Sequence, residues 1–240
     1  MKTLKEYIIE GILDIEDNIE NLTVESLIED FIRENYNTTA KIQIKKKVDK
    51  YIVSTKGHVG VKNNNITELT NDLFEWSEVG GWFSCTDCTS LKDLTGAPEK
   101  VDGNFSCNGC TSLESLIGAP KKVGGSFYCR DCTSLESLEG APKKVENIFG
   151  CDGCTSLQSL KGAPKKVGRD FYCSGCTSLK DLIGAPEKVG WNFDCIECTS
   201  LQSLKGAPKE VGDFNCSNCG KQFTEEDVIA VCDVKDRITV

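Results

Sequence analysis

Histidine is almost absent. His58 is the single one in 240 residues, which leaves too little imidazole for the acid–base and triad chemistries that depend on it. No nucleophile–base pair or phosphate-cradling loop stands out, so an enzyme is not expected. Long apolar runs are missing too: none approaches the roughly 18 residues that a membrane-spanning helix needs. The opening stretch places Lys2 and Lys5 before apolar residues, but Glu6, Glu10, Asp14, Glu16 and Asp17 interrupt them, so it does not read as a signal peptide. Positive charge is also in deficit. With 28 Lys and Arg against 37 Asp and Glu the chain carries −9, the wrong sign for general nucleic-acid binding.

Cysteine is abundant, and its spacing organises the chain. A 22-residue unit reads CTDCTSLKDLTGAPEKVDGNFS from Cys85 and CNGCTSLESLIGAPKKVGGSFY from Cys107. Further copies start at Cys129, Cys151, Cys173 and Cys195, the last one residue short, and a seventh breaks off after Cys216–Cys219. A fixed period of this size predicts a solenoid, in which each coil buries its face against its neighbours. Val101, Phe105, Leu113 and Leu116 and their equivalents are the bulky core candidates. Burying these few side chains does not offset the ordering of a whole coil, so one coil cannot fold alone. Gly118-Ala119-Pro120 predicts a turn, and Val-x-Gly-x-Phe a strand with a glycine bend.

The flanks differ. Over 1–37 the residues Leu4, Ile8, Ile12, Ile15 and Ile19 follow one helix face. A second helix is expected from Thr23 as N-cap, with Val24, Leu27, Ile28 and Phe31 inward and Asn35 and Asn37 as stop signals. Residues 1–36 hold ten acidic and three basic side chains, read as a solvated face or, alternatively, a docking segment. Residues 38–79 read as a strand-rich N-terminal cap: Lys41–Lys45 and Tyr51–Val53 alternate as strands, and His58–Val61 begins a worn first coil without cysteines. Residues 80–219 form the regular solenoid. Residues 220–240 read as a C-terminal cap, with Thr224 and Asp227 as a capping box, Val228, Ile229 and Val231 facing inward, and Arg237–Val240 as a last strand. The expected fold is thus a β-rich solenoid, leucine-rich-repeat-like, with a helical N-terminal region and a small helix/strand cap.

The string Phe-x-Cys-x-x-Cys-Thr-Ser-Leu-x-Ser-Leu-x-Gly-Ala-Pro-x-x-Val-Gly-Gly resembles a leucine-rich repeat. It is similar to bacterial units of the form Phe-x-x-Cys-Thr-Ser-Leu, and more so to leucine-rich-repeat-like proteins of tailed bacteriophages of gut bacteria. The resemblance spans about 80–219 and departs from the ordinary repeat in its second cysteine. It implies a phage-encoded, non-enzymatic protein-binding module in the bacterial cytoplasm, one that binds and inhibits a host defence protein. The alternative is a virion-associated or structural module.

Two readings of the cysteines compete. The pairs Cys85/Cys88, Cys107/Cys110, Cys129/Cys132 and Cys151/Cys154 have zinc-like C-x2-C-x18-C-x2-C spacing, which would suit structural zinc or an iron–sulfur cluster. Against metal, seven pairs cannot couple two by two, and the residues between the cysteines show no alternation from coil to coil. A ladder of reduced, buried thiols without any cofactor is the preferred reading; a redox role is the least favoured. Function is expected at the variable positions. Lys143-Lys144 and Lys165-Lys166 form a basic stripe, read as a solvated guard against edge association or as a track for an acidic partner. Trp191, Tyr172, Tyr128 and Arg169 are large where the repeat is otherwise small or polar, and aromatics and arginine are the usual interface anchors.

Overall fold

The computed structural model describes residues 23–38, 40–62, 64–69 and 74–240. The helix expected on Leu4 to Ile19 lies outside them. Helix α1 spans Val24–Asn35, and Thr23 caps it: its Oγ1 accepts the Ser26 N–H at 3.1 Å, while the Ser26 hydroxyl accepts the Thr23 N–H at 3.1 Å. Leu27, Ile28, Phe31 and Ile32 are buried along one face. Val24, expected inward, is 39% exposed, because the packed surface starts one turn further along. The helix stops as Tyr36 turns extended and enters β1 (Tyr36–Asn37).

Among the described residues two ten-stranded sheets form a β-solenoid of about eight turns. One begins with β1, antiparallel to β4 (Val59–Val61), which pairs in parallel with β6 (Phe83–Ser84). The other begins with the antiparallel pair β2 (Ile42–Lys46) and β3 (Tyr51–Thr55), and continues in parallel through β5 (Phe74–Val79). Each coil then gives one short strand to each sheet. The Lys-Val pairs form β7 (Lys100–Val101), β9 (Lys122–Val123), β11 (Lys144–Val145), β13 (Lys166–Val167) and β15 (Lys188–Val189), followed by β17 (Glu210–Val211). The Phe positions form β8 (Phe105–Ser106), β10 (Phe127–Tyr128), β12 (Phe149–Gly150), β14 (Phe171–Tyr172), β16 (Asn192–Asp194) and β18 (Asp213–Asn215). These are called the Lys sheet and the Phe sheet below.

The single bent strand expected over Val-x-Gly-x-Phe is therefore two strands in two sheets. The glycines between them form a corner that is closed to side chains in the early coils. A Cβ on Gly103 would lie 2.8 Å from the Gly81 carbonyl carbon, and one on Gly125 2.2 Å from Asn104 Oδ1. The Gly-Ala-Pro turn needs its glycine for conformation as well: Gly118 has φ +85°, a region that L side chains avoid. A second left-handed position recurs two residues after the first cysteine of each pair. It holds Asp87, Gly109, Asp131, Gly153, Gly175, Glu197 and Asn218, mostly the residue types that tolerate it.

Because every coil pairs in register with the next, like residues stack. Phe83, Phe105, Phe127, Phe149, Phe171, Phe193 and Phe214 are all 0% exposed, and their ring centroids lie 5.1–5.7 Å apart. The repeated Val and Leu positions flank this column in one continuous core. In the worn first coil Val59 takes the Phe place, and Ile66 and Leu69 are buried.

The far end is closed by α2 (Glu225–Ile229), β19 (Asp233–Val234) and β20 (Ile238–Thr239). Thr224 and Asp227 make the expected capping box, at 3.2 and 3.0 Å. Val228 is buried, but Ile229 and Val231 are 63% and 40% exposed, contrary to expectation. A helix this short turns one stripe inward, and Cys232, four residues after Val228, completes it. The strands β19 and β20 extend the Lys and Phe sheets beyond the last coil.

Candidate functional site

Three features could carry function: the thiols, the outer face of the Lys sheet and the outer face of the Phe sheet. The thiols sit inside. All 15 cysteines are free, and all are buried except the half-buried Cys219. Their hydrogen bonds follow one rule. From the second pair on, the second cysteine donates back to the carbonyl of the previous coil's first cysteine: Cys110 to Cys85 O at 3.1 Å, Cys132 to Cys107 O at 3.2 Å and Cys154 to Cys129 O at 3.1 Å. The first cysteine donates forward, as Cys107 does to Tyr128 O at 3.5 Å and Cys151 to Tyr172 O at 3.3 Å. The neighbouring Cys198 thiol and burial push the Cys173 thiol far above its usual range, and Cys176 and burial do the same to Cys151. Among the described residues, no three His, Cys, Asp or Glu side chains gather as a metal-holding group. Elemental analysis of protein purified without chelator should find no stoichiometric zinc or iron. The fourteen buried thiols should react with an alkylating reagent only after denaturant is added; bound zinc and chelator-dependent unfolding would favour paired-coil metal sites.

The lysines lie on the face of the Lys sheet. Lys144, Lys166 and Lys188 stand in register on its central strands, with Lys143 and Lys165 one residue before. They therefore do not guard an edge, since the edges are β2 and β19. Several lysines pair with acidic neighbours: Lys121 with Glu99 at 2.7 Å, Lys144 with Glu146 at 2.8 Å and Lys188 with Glu210 at 2.8 Å. Exposed pairs of this kind contribute little. Among the described residues no ion pair reaches Lys143, Lys165 or Lys166.

The Phe sheet is different. Its phenylalanines point in, so the residues on either side of each point out. Several of these are backbone clamps. The strands are mostly two residues long, and side-chain oxygens one coil back satisfy N–H groups at or near their ends. Asn104 Oδ1 accepts the Ser126 N–H at 2.8 Å, Asn108 Oδ1 the Arg130 N–H at 2.8 Å, and Asp170 Oδ1 the Asn192 N–H at 3.1 Å.

Others are not clamps. Gly150 stands between Tyr128 and Tyr172 in the outward row. The Arg130 guanidinium fills the notch, 4.8 Å from the Tyr128 ring centre and 5.9 Å from that of Tyr172. Its Nε lies 2.9 Å from Asp152 Oδ2. A Cβ on Gly150 would come within 3.0 Å of that Nε. Toward the N-terminus, a shallow groove of about 340 Å³ runs between Trp82 and Tyr128 over Ser84, Asn104 and Ser106. His58 stacks on Trp82 at 5.0 Å and accepts its backbone N–H through Nδ1 at 2.9 Å. Toward the C-terminus the face is acidic. Burial, with Asp152, Asp170 and Asp213 nearby, raises the Asp194 carboxyl to about 6.

The four anchor candidates thus fall into two pairs. Tyr128 and Tyr172 share the Phe face. Arg169 and Trp191 lie at the glycine corner in neighbouring coils, where the guanidinium covers the indole at 4.1 Å while Trp191 stays 54% exposed. Sequence reasoning missed Arg130, Gly150, Asp152 and Asp194. A signal existed for Gly150, the only glycine at the position after the phenylalanine.

Compared with known proteins, the chain matches no family model, no curated protein and no solved structure. The architecture is that of a repeat solenoid, and no match supports a leucine-rich-repeat identity or a phage origin. Among the described residues no helix is long and apolar enough to cross a membrane.

Proposed function

We propose that the protein is a non-enzymatic binding module that holds a partner protein on the outer face of the Phe sheet. One observation carries this reading. The repeated side chains fill the core, while the irregular ones gather Tyr128, Arg130, Asp152 and Tyr172, all half-buried, around one notch on the outer face of the sheet. Aromatics and arginine on a preorganised surface lose little entropy on binding and are the residues that most often dominate interfaces. The non-catalytic part is supported by the engagement of His58 with Trp82 and by the burial of the thiols. A host defence protein as partner, a phage origin and the bacterial cytoplasm as site of action rest on the resemblance of the repeat alone.

Tagged protein produced in bacteria should copurify a specific protein. The Tyr128→Ala/Tyr172→Ala double variant should remain folded and lose it, while Lys143→Ala/Lys144→Ala and Lys165→Ala/Lys166→Ala variants should retain it. Retention by the tyrosine variant with loss by the lysine variants would move the interface to the Lys sheet. Incorporation into virus particles without such a partner would favour the structural alternative.

A further inference from the structure

The Phe face shows within the chain what kind of side chain it accepts. Arg130 lies over Tyr128, reaches toward Tyr172 and pairs with Asp152. At the corner, Arg169 covers Trp191 in the same manner. Each is a cation held by a ring, an arrangement favoured by the quadrupole of the aromatic face.

Tyr172 has Arg130 on one side, 5.9 Å from its ring centre, and the next residue of the outward row is Asp194. Tyr172 and Asp194 are neighbours in register on β14 and β16, and Asp170 and Asn192 flank them. The surrounding charges are accounted for. Asp152 is taken by Arg130 at 2.9 Å and Asp213 by Arg237 at 3.2 Å. Asp170 is 4% exposed and spends one oxygen on the Asn192 N–H. Among the described residues no cation pairs with Asp194. Its carboxyl is already pushed up to about 6 by burial and by these three aspartates. An added positive charge would relieve that repulsion.

We infer that the Phe face takes a partner segment bearing an arginine or lysine, its cationic head seated on the Tyr172 ring beside Asp194. This rests on the Phe face being the binding surface, as proposed above, and adds the chemistry of the occupant. Arginine suits the place better than lysine, because its flat guanidinium can stack on the ring and pair with the carboxylate together. A cationic partner favours ionised Asp194, so binding should be strong at pH 7.5 and weaken as the pH falls below about 6.

The probe is a fluorescein-labelled peptide with two arginines in a glycine–serine background, and its twin with neutral citrulline in their place. Fluorescence anisotropy is read with the full chain. The arginine peptide should bind, and the citrulline twin at least tenfold more weakly. Asp194→Asn and Tyr172→Ala should each weaken the arginine peptide about tenfold. Glu136→Gln, which removes the same charge on another side of the coil, should leave it unchanged. Because Asp194→Asn is isosteric and half-exposed, it keeps the test independent of folding should Tyr172→Ala unfold. Equal losses from Asp194→Asn and Glu136→Gln would mean diffuse attraction to an acidic protein and would overturn the inference. So would equal binding of the two peptides. If a copurified partner needs Tyr128 and Tyr172 but is indifferent to Asp194→Asn, the Phe face remains the binding surface and only the cation falls. If the arginine peptide behaves as expected while no copurified protein depends on the tyrosines, the cation site stands and the protein-partner reading fails.

Discussion

Removal of residues 220–240 should make the chain aggregate. The segment supplies β19 and β20, the last rungs of both sheets, and Val228 and Phe223, both buried against the final coil. Without it, Phe214, Val211 and Cys216 face water, and β17 and β18 present two unpaired edges side by side. Open parallel edges over an apolar layer are templates for pairing with another chain, and end coils in repeat proteins depend on such caps. Size-exclusion chromatography and thermal melting of the truncated chain decide it. A monomer that melts at the temperature of the full chain would show that the cap is dispensable.

Phe127→Ala should cost about 3–5 kcal/mol of stability in denaturant unfolding, the range for deleting a buried aromatic. The ring is fully buried and stacked at 5.1 Å on Phe105 and 5.2 Å on Phe149. Its removal opens a gap in mid-column that the in-register strands on both sides cannot close without breaking their rungs. Exposed Lys143 should tolerate alanine within about 0.5 kcal/mol. A Phe127→Ala loss under about 1 kcal/mol would mean that the column contributes little to cohesion.

Much of this was readable in the sequence because one unit is repeated with few changes. Val101, Phe105, Leu113 and Leu116 recur at the same period, so a single assignment of inside and outside holds for every coil. The capping residues Thr23 and Thr224 were legible for a local reason: a side-chain oxygen three residues from an N–H needs no tertiary partner. What escaped depends on contacts between coils. The split of Val-x-Gly-x-Phe into two sheets shows only in which neighbours each half pairs with, Val101 with Val123 and Phe105 with Phe127 in separate sheets, pairings between coils that no single coil encodes. Placing the lysines on a face rather than an edge needs the strand order. The notch at Gly150 was missed because it joins residues 22 positions apart, Arg130 and Asp152. The exposure of Ile229 and Val231 reflects a helix too short to bury more than one stripe.

The claim that repeated positions hold the coil while irregular positions on the Phe face hold a partner has one direct test. Tyr128, Arg130, Asp152, Tyr172 and Asp194 would be replaced together by the Ser and Asn found at the same places in the coil of Ser106 and Asn108, and partner affinity measured beside the wild type. The expected result is unchanged thermal unfolding with binding lost. Binding at wild-type affinity by that folded variant would contradict it.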